Sequence, residues 1–174
     1  MEIRREQDYI VNRWSGGITR ELFIWPKGSS LAKRDFAIRI SSAVIDSTGS
    51  DFSDFSGFVR YIMPLQGTID LYRQGEKMRL EPGKLFRFSG SDKVSSTNTP
   101  GAIDFNVIVK EGVEVDVCVT GDFRSSVPGV KTIVFALGDA VINGTPLHPH
   151  ATAITLAPVA LQGQAVVITL NPGS

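Results

Sequence analysis

The 174-residue sequence is charge-balanced, with 18 Lys and Arg against 18 Asp and Glu. With no basic block, no interleaved aromatic stripe and no apolar run of about 18 residues, neither nucleic acid nor a membrane is an expected partner. A single cysteine, Cys118, excludes an internal disulfide, and the charged opening Met1-Glu2-Ile3-Arg4-Arg5-Glu6 carries no apolar leader, so a cytoplasmic protein is expected.

In chain order, the densest chemistry comes first, in Asn12-Arg13-Trp14-Ser15-Gly16-Gly17-Ile18-Thr19-Arg20-Glu21. Gly16-Gly17 reads as a turn or bulge, and alternation then predicts a strand from Ile18 to Trp25. Ile18, Arg20, Leu22 and Ile24 would share one face, with Thr19, Glu21, Phe23 and Trp25 on the other. An arginine among aliphatic neighbours needs a carboxylate from the protein or a ligand, unless the strand is a surface one and Arg20 snorkels to water. After the Trp25-Pro26-Lys27-Gly28 turn, Phe36 to Val44 alternates again. Ala37, Arg39, Ser41 and Ala43 fall on one face, small residues around one cation, as on a strand lining a cavity or on a solvated outer face.

Asp51-Phe52-Ser53-Asp54-Phe55-Ser56-Gly57 reads as a loop whose phenylalanines pack onto the core. Two strands around a Pro/Gly bend follow in Phe58 to Tyr72, then a hairpin at Arg73-Gln74-Gly75-Glu76, a strand to Leu80, and a Pro82-Gly83 turn before Leu85-Phe86-Arg87-Phe88. No helical periodicity of any length interrupts them. Arg60 to Leu71 is echoed by Lys131 to Ile142, each with a basic residue, an apolar strand, a glycine and a second strand. Such repetition predicts two related β lobes. Together with the spacing of Arg60, Gly67 and Gly75, it is similar to the motifs of a two-lobed cupin. Between the lobes, Asp104 and Asn106 share one face of the stretch Gly101 to Val109, and Asp104 is a candidate partner for Arg20 or Arg39. Ala165 to Leu170 closes the second lobe.

Four segments together resemble the HutD/Ves family of small bicupins: Trp14 to Glu21 with its Gly-Gly-x-Thr-Arg-Glu core, Phe36 to Ser41, Phe52 to Arg60, and Asp104-Phe105-Asn106. Asn12 and Trp14 stand in the reverse of the family's usual order, while Thr19, Arg20 and Glu21 match directly. The resemblance implies an all-β bicupin of jelly-roll (double-stranded β-helix) lobes packed together, approximately 1–112 and 113–174. It also implies a polar small-molecule pocket in the first lobe, and in some members a regulatory role in histidine utilisation involving formylglutamate or urocanate.

A metal-dependent cupin needs histidines and a carboxylate converging on one cation. Aligning Arg60 with the usual glutamate leaves Asp54 and Ser56, or Ser53 and Phe55, where the histidines belong. His148 and His150, two apart around Pro149, could share a strand face but lack a third ligand. Cys118 alternates with Asp116 and Glu114, which would raise rather than lower its pKa. What remains is an anion-recognition set. Guanidinium forks take carboxylates in bidentate fashion, and hydroxyls and amides complete the shell. The candidate ligand-binding residues are Trp14, Thr19, Arg20, Glu21, Arg39, Ser41, Arg60, Asp104 and Asn106, with no catalytic residue, metal or cofactor assigned. A buried structural ion network explains the same charges. The expected function is a non-enzymatic, metal-independent binder of a small carboxylate metabolite, with homodimer formation possible through the sheets. The alternatives are a cofactor-free isomerase or lyase using Glu21 or Asp104 as base, or an interaction module with a vestigial pocket.

Overall fold

The computed structural model describes residues 1–171. The strands are β1 (Glu2–Arg4), β2 (Ile10–Trp14), β3 (Gly17–Trp25), β4 (Ile38–Ile45), β5 (Gly49–Asp51), β6 (Phe58–Gln66), β7 (Ile69–Arg73), β8 (Glu76–Leu80), β9 (Phe86–Ser89), β10 (Val94–Asn98) and β11 (Ala102–Lys110). They continue with β12 (Val115–Thr120), β13 (Phe123–Ser125), β14 (Lys131–Ala136), β15 (Ala140–Ile142), β16 (Thr145–Leu147), β17 (Thr152–Thr155), β18 (Val159–Gln162) and β19 (Ala165–Leu170). One 3-10 turn, Glu6–Asp8, is the sole helical element among the described residues. No helix there is long and apolar enough to cross a membrane.

The chain divides into two compact units. In the unit Ile10–Glu111, a six-stranded sheet ordered β2-β3-β4-β11-β6-β9 and a four-stranded sheet ordered β5-β10-β7-β8 share one core. Ala43, Ile45, Ile62 and Phe88 from the first meet Ile69, Leu71, Leu80 and Val94 from the second. Non-polar area removed from water on both inner faces holds such a sandwich together. The other unit repeats the plan, with a five-stranded sheet β1-β17-β14-β19-β12 and a four-stranded sheet β13-β18-β15-β16. Its core is built from small and branched residues, among them Val134, Ala136, Ile142, Ala153, Leu161 and Val167. The architecture is all-β and two-lobed. The sequence echo has a structural counterpart: β6 leads into β7, and β14 into β15, each pair passing from the larger sheet of its lobe to the smaller.

Two features depart from the sequence reading. Residues 1–9 go with the chain from Gly112 onward and not with the first lobe. The reason is pairing: β1 adds to β17 with Glu2 opposite Ile154 and Arg4 opposite Thr152, giving an edge strand a partner. The Tyr9 hydroxyl donates to the His150 carbonyl at 2.7 Å and lies 2.8 Å from the Thr152 hydroxyl, and burial pushes its pKa up to about 12. Tyr9→Phe leaves Thr152, which is wholly buried, short of a partner. It is expected to lower the free energy of urea unfolding by about 1–3 kcal/mol.

The second departure is a β-bulge. Glu21 stands opposite Ser41 but Phe23 stands opposite Ile40, so Leu22 is the extra residue and the alternation inverts after it. Leu22 and Phe23 are both buried, and Ile24 falls opposite Arg39.

Candidate ligand pocket

The inner face of the six-stranded sheet is laid out in rows by its register. Arg39 on β4 and Arg60 on β6 flank Ile108 on β11, in one row across three strands. At the usual spacing of about 4.8 Å between strands, the two backbones lie roughly 10 Å apart, one on either side of Ile108. The next row carries Ser41 and Asn106, and the one after it Ala43 and Asp104. β3 extends both rows, with Glu21 beside Ser41 and Thr19 beside Ala43. Above this floor lies a cavity of about 520 Å³, whose far wall is the loop from Ser50 to Phe55 and whose rim includes Asn12, Trp14 and Leu31.

Arg39 is only 4% exposed, and its Nε donates to Glu21 Oε2 at 2.9 Å. That is its one hydrogen bond among the described residues, and Arg39 lines the cavity. The bulge at Leu22 helps set this pair: Glu21 is the last residue of β3 before it whose side chain takes the cavity side.

Arg60 is held differently. Its guanidinium stands 5.1, 5.0 and 5.5 Å from the ring centres of Phe52, Phe55 and Phe88, within cation–π range of all three. Among the described residues it makes no hydrogen bond or ion pair. Burial lowers its pKa to about 10, against the opposing pull of Asp104. The phenylalanine wall depends on Gly90. Phe55 N–H donates to the Gly90 carbonyl and Gly90 N–H to the Phe58 carbonyl, each at 2.8 Å. A Cβ at position 90 would lie 2.1 Å from the Phe55 carbonyl oxygen, so only glycine admits the loop this close.

Asp104 is buried, and its Oδ1 accepts the Ala43 N–H at 2.9 Å. Burial raises its pKa to about 6, opposed by the Asn106 amide, the Ala43 N–H and the charge of Arg60. At the rim, the Trp14 indole donates to the Thr19 hydroxyl at 3.0 Å. Its ring lies across Gly16, where a Cβ would come 2.0 Å from the ring. Gly16→Ala is expected to push the indole off the rim, with a changed tryptophan emission maximum and weaker ligand affinity but little change in unfolding midpoint, because the obstacle is the far end of one side chain.

The sequence model of the HutD family matches residues 6–165. The chain belongs to the HutD family. Among solved structures, HutD from Pseudomonas fluorescens SBW25, in a structure described as a formate condition, is 27% identical, with 98% of this chain and 97% of that one covered and a TM-score of 0.86. PA5104 from Pseudomonas aeruginosa PAO1, described as a conserved protein of unknown function, is 24% identical over 98% of both chains at a TM-score of 0.78. The pirin YhhW from Escherichia coli, in complex with nickel(II), is 12% identical over 98% of both chains at a TM-score of 0.70. The latter two likenesses carry the fold alone, that of a two-lobed cupin. No curated protein sequence matches the chain.

In this HutD-family pocket, seven of the nine residues singled out from sequence line one cavity: Trp14, Thr19, Arg39, Ser41, Arg60, Asp104 and Asn106. Glu21 stands behind them as the partner of Arg39. Arg20 does not join them. It alternates with Thr19 and Glu21, so it projects from the opposite face of the sheet, opposite Ser42. Asp104 pairs with neither Arg20 nor Arg39; it faces Arg60. Sequence reasoning assigned Phe52 and Phe55 to packing alone and left out Asn12, Leu31 and Ser50, all of which line the cavity. The signal for the loop was present, since Phe52 to Arg60 is one of the segments that carry the family resemblance.

The other candidates lie elsewhere. His148 and His150 do not share a strand: they lie in the turn between β16 and β17, with His150 at φ +66° and stacked on Phe135 at 5.6 Å. Among the described residues no three His, Cys, Asp or Glu side chains converge as metal ligands would. Burial, and then Asp116, push the Cys118 thiol up, as its neighbours in sequence suggest.

Proposed function

We propose that this HutD-family chain binds a small carboxylate-bearing metabolite without metal or turnover, and that it regulates histidine utilisation by sensing an intermediate such as formylglutamate or urocanate. The observation that carries this reading is the row of Arg39 and Arg60 across Ile108. Both cations line one cavity, and among the described residues the one hydrogen bond that either guanidinium makes is that of Arg39 Nε to Glu21. Buried guanidinium groups are costly unless paired, and a carboxylate meets the forked N–H array of each in the way water cannot. Ser41 and Asn106, in the adjacent row, complete a polar shell.

The test is thermal unfolding in formylglutamate, urocanate, histidine, glutamate and formate, with metal content assayed on the same sample. A ligand at one hundred times its dissociation constant adds about 2.7 kcal/mol. One acid that raises the midpoint of a metal-free sample supports the reading; no shift with any acid defeats it.

A second reading, a cofactor-free isomerase or lyase, draws on Asp104, whose pKa near 6 suits a general base beside a cationic side chain. Glu21 is already engaged by Arg39 Nε. Any stabilising acid should therefore be incubated with the protein in deuterium oxide and followed by proton NMR. Exchange or product formation that is lost in Asp104→Asn would favour catalysis over sensing.

A further inference from the structure

The six-stranded sheet ends at β2 in an unguarded edge. All five residues of β2 are exposed, and three of them are large and apolar: Ile10, Val11 and Trp14 stand 64%, 45% and 45% open to water. Soluble proteins blunt such edges with proline, bulges, charges or a covering segment. β2 has no proline and one charge, Arg13, and its register with β3 runs unbroken from Ile10 opposite Glu21 to Trp14 opposite Gly17.

The direction of its backbone groups follows from the rest of the sheet. Successive residues of a strand turn their N–H and C=O to opposite neighbours. On β4 the Ala43 N–H goes to Asp104 of β11, and the Ile45 carbonyl accepts from Gly101, just before β11. Ser42 and Val44 therefore bond β3, through Arg20 and Ile18. Thr19 and Glu21 in turn bond β2, through Asn12 and Ile10. Val11 and Arg13 are left with their N–H and C=O groups pointing out of the sheet edge. Ile10, Asn12 and Trp14 have their side chains on the cavity face, and the last two line the cavity.

A second copy of the chain fits this edge in one register. Antiparallel pairing of two β2 strands about a two-fold axis at Asn12 sets Val11 opposite the partner's Arg13 and Arg13 opposite the partner's Val11, which bonds every outward group of both residues. On the cavity face the same register brings Ile10 against the partner's Trp14, an aliphatic and aromatic cross-strand pair. An axis at Arg13 would oppose two like charges, and one at Val11 would set Arg13 against the buried Tyr9. We propose that two copies of this chain pair through β2 about Asn12, joining their six-stranded sheets, and that Ile10 of each copy closes over the Trp14 at the rim of the other's pocket.

One strand from each copy makes a small interface, so a dissociation constant of roughly micromolar order is expected. Sedimentation velocity of the full chain from about 1 to 300 µM should show monomer giving way to dimer. Tryptophan emission should move to the blue over the same range, and Trp14→Phe, which leaves Trp25 alone, should lose that shift. Val11→Pro removes an outward N–H without breaking a bond to β3, and Ile10→Lys puts a charge against the partner's indole. Each should raise the dissociation constant about tenfold or more, with the unfolding midpoint of the dilute protein little changed. In a Cys118→Ser background, Asn12→Cys faces its own copy across the axis at a Cα separation of about 4.5 Å and should form an intermolecular disulfide on oxidation. Lys77→Cys, on the edge strand β8 of the smaller sheet, should not. A chain that stays monomeric to the top of the range, or a dimer that Val11→Pro and Ile10→Lys leave equally tight, overturns the inference. Cross-linking through Lys77→Cys in preference to Asn12→Cys does the same.

Discussion

Arg39→Ala is expected to abolish carboxylate binding and to lower the free energy of unfolding by about 3 kcal/mol, the lower end of the cost of removing one partner of a buried ion pair. The lower end applies because the survivor, Glu21, keeps 18% of its side chain exposed and so retains some hydration. Two effects add in the same direction: a carboxylate is stranded beside the cavity, and the packed stem of a nearly fully buried arginine is lost from the β4 face. Glu21→Gln separates the roles. It keeps the cation and an amide oxygen that can still accept from its Nε but removes the opposing charge, so acid binding should survive while stability falls. In a double-mutant cycle, Arg39→Ala with Glu21→Ala should cost less than the sum of the single changes, because neither charge is then left alone. Urea unfolding and titration with the stabilising acid measure both halves. Wild-type affinity in Arg39→Ala would remove the arginine row from the site.

The fold was legible because period-2 alternation and turn residues recur along nearly the whole chain, and because a hairpin echo at Arg60 and Lys131 marks two lobes. The face of β4 was legible for the same reason: Ala37, Arg39, Ser41 and Ala43 alternate without interruption, and the last three line the cavity. β3 was legible only as far as Glu21. A bulge inserts one residue without any signature in the letters, since Leu22 and Phe23 are both apolar, and it decides which residues beyond it reach the cavity. Arg20 misled for a related reason. The strand's period was right, but period alone does not say which of two half-buried faces borders the cavity, and the arginine on the face away from it looked as chemical as Arg39. That Asp104 feels the charge of Arg60 and not that of Arg39 was out of reach, because β11 pairs with both β4 and β6 and the sequence does not say which neighbour supplies the charge. Phe52 and Phe55 are core-like letters put to use as a wall for a cation, a role set by where the loop lands and not by its composition.

Asp104→Asn is expected to leave the protein more stable than the wild type at pH 7.5, by up to about 3 kcal/mol, and to lose that advantage in acid. The folded-state pKa of Asp104, about 6, lies above the ordinary carboxylate value of 3.8, so the folded protein binds the proton more tightly than the unfolded chain. Stability therefore falls as pH rises from about 4 through 6, where only the unfolded carboxyl has already ionised, and levels off above both values. Asparagine does not titrate, and its carbonyl oxygen can still accept the Ala43 N–H, so the variant follows the wild type without that decline. Urea unfolding at pH 4.5 and 7.5 shows the difference directly, and an equal gap between the two proteins at both values would mean that Asp104 is not held protonated by burial. The same group acts on the ligand. Ionised Asp104 shares the cavity with an incoming carboxylate, and although Arg60 offsets part of the repulsion, wild-type affinity for a carboxylate should weaken as pH rises through 6 while that of Asp104→Asn stays flat. A recess that holds its own acid beside two cations is thus expected to favour an anion most when Asp104 carries its proton.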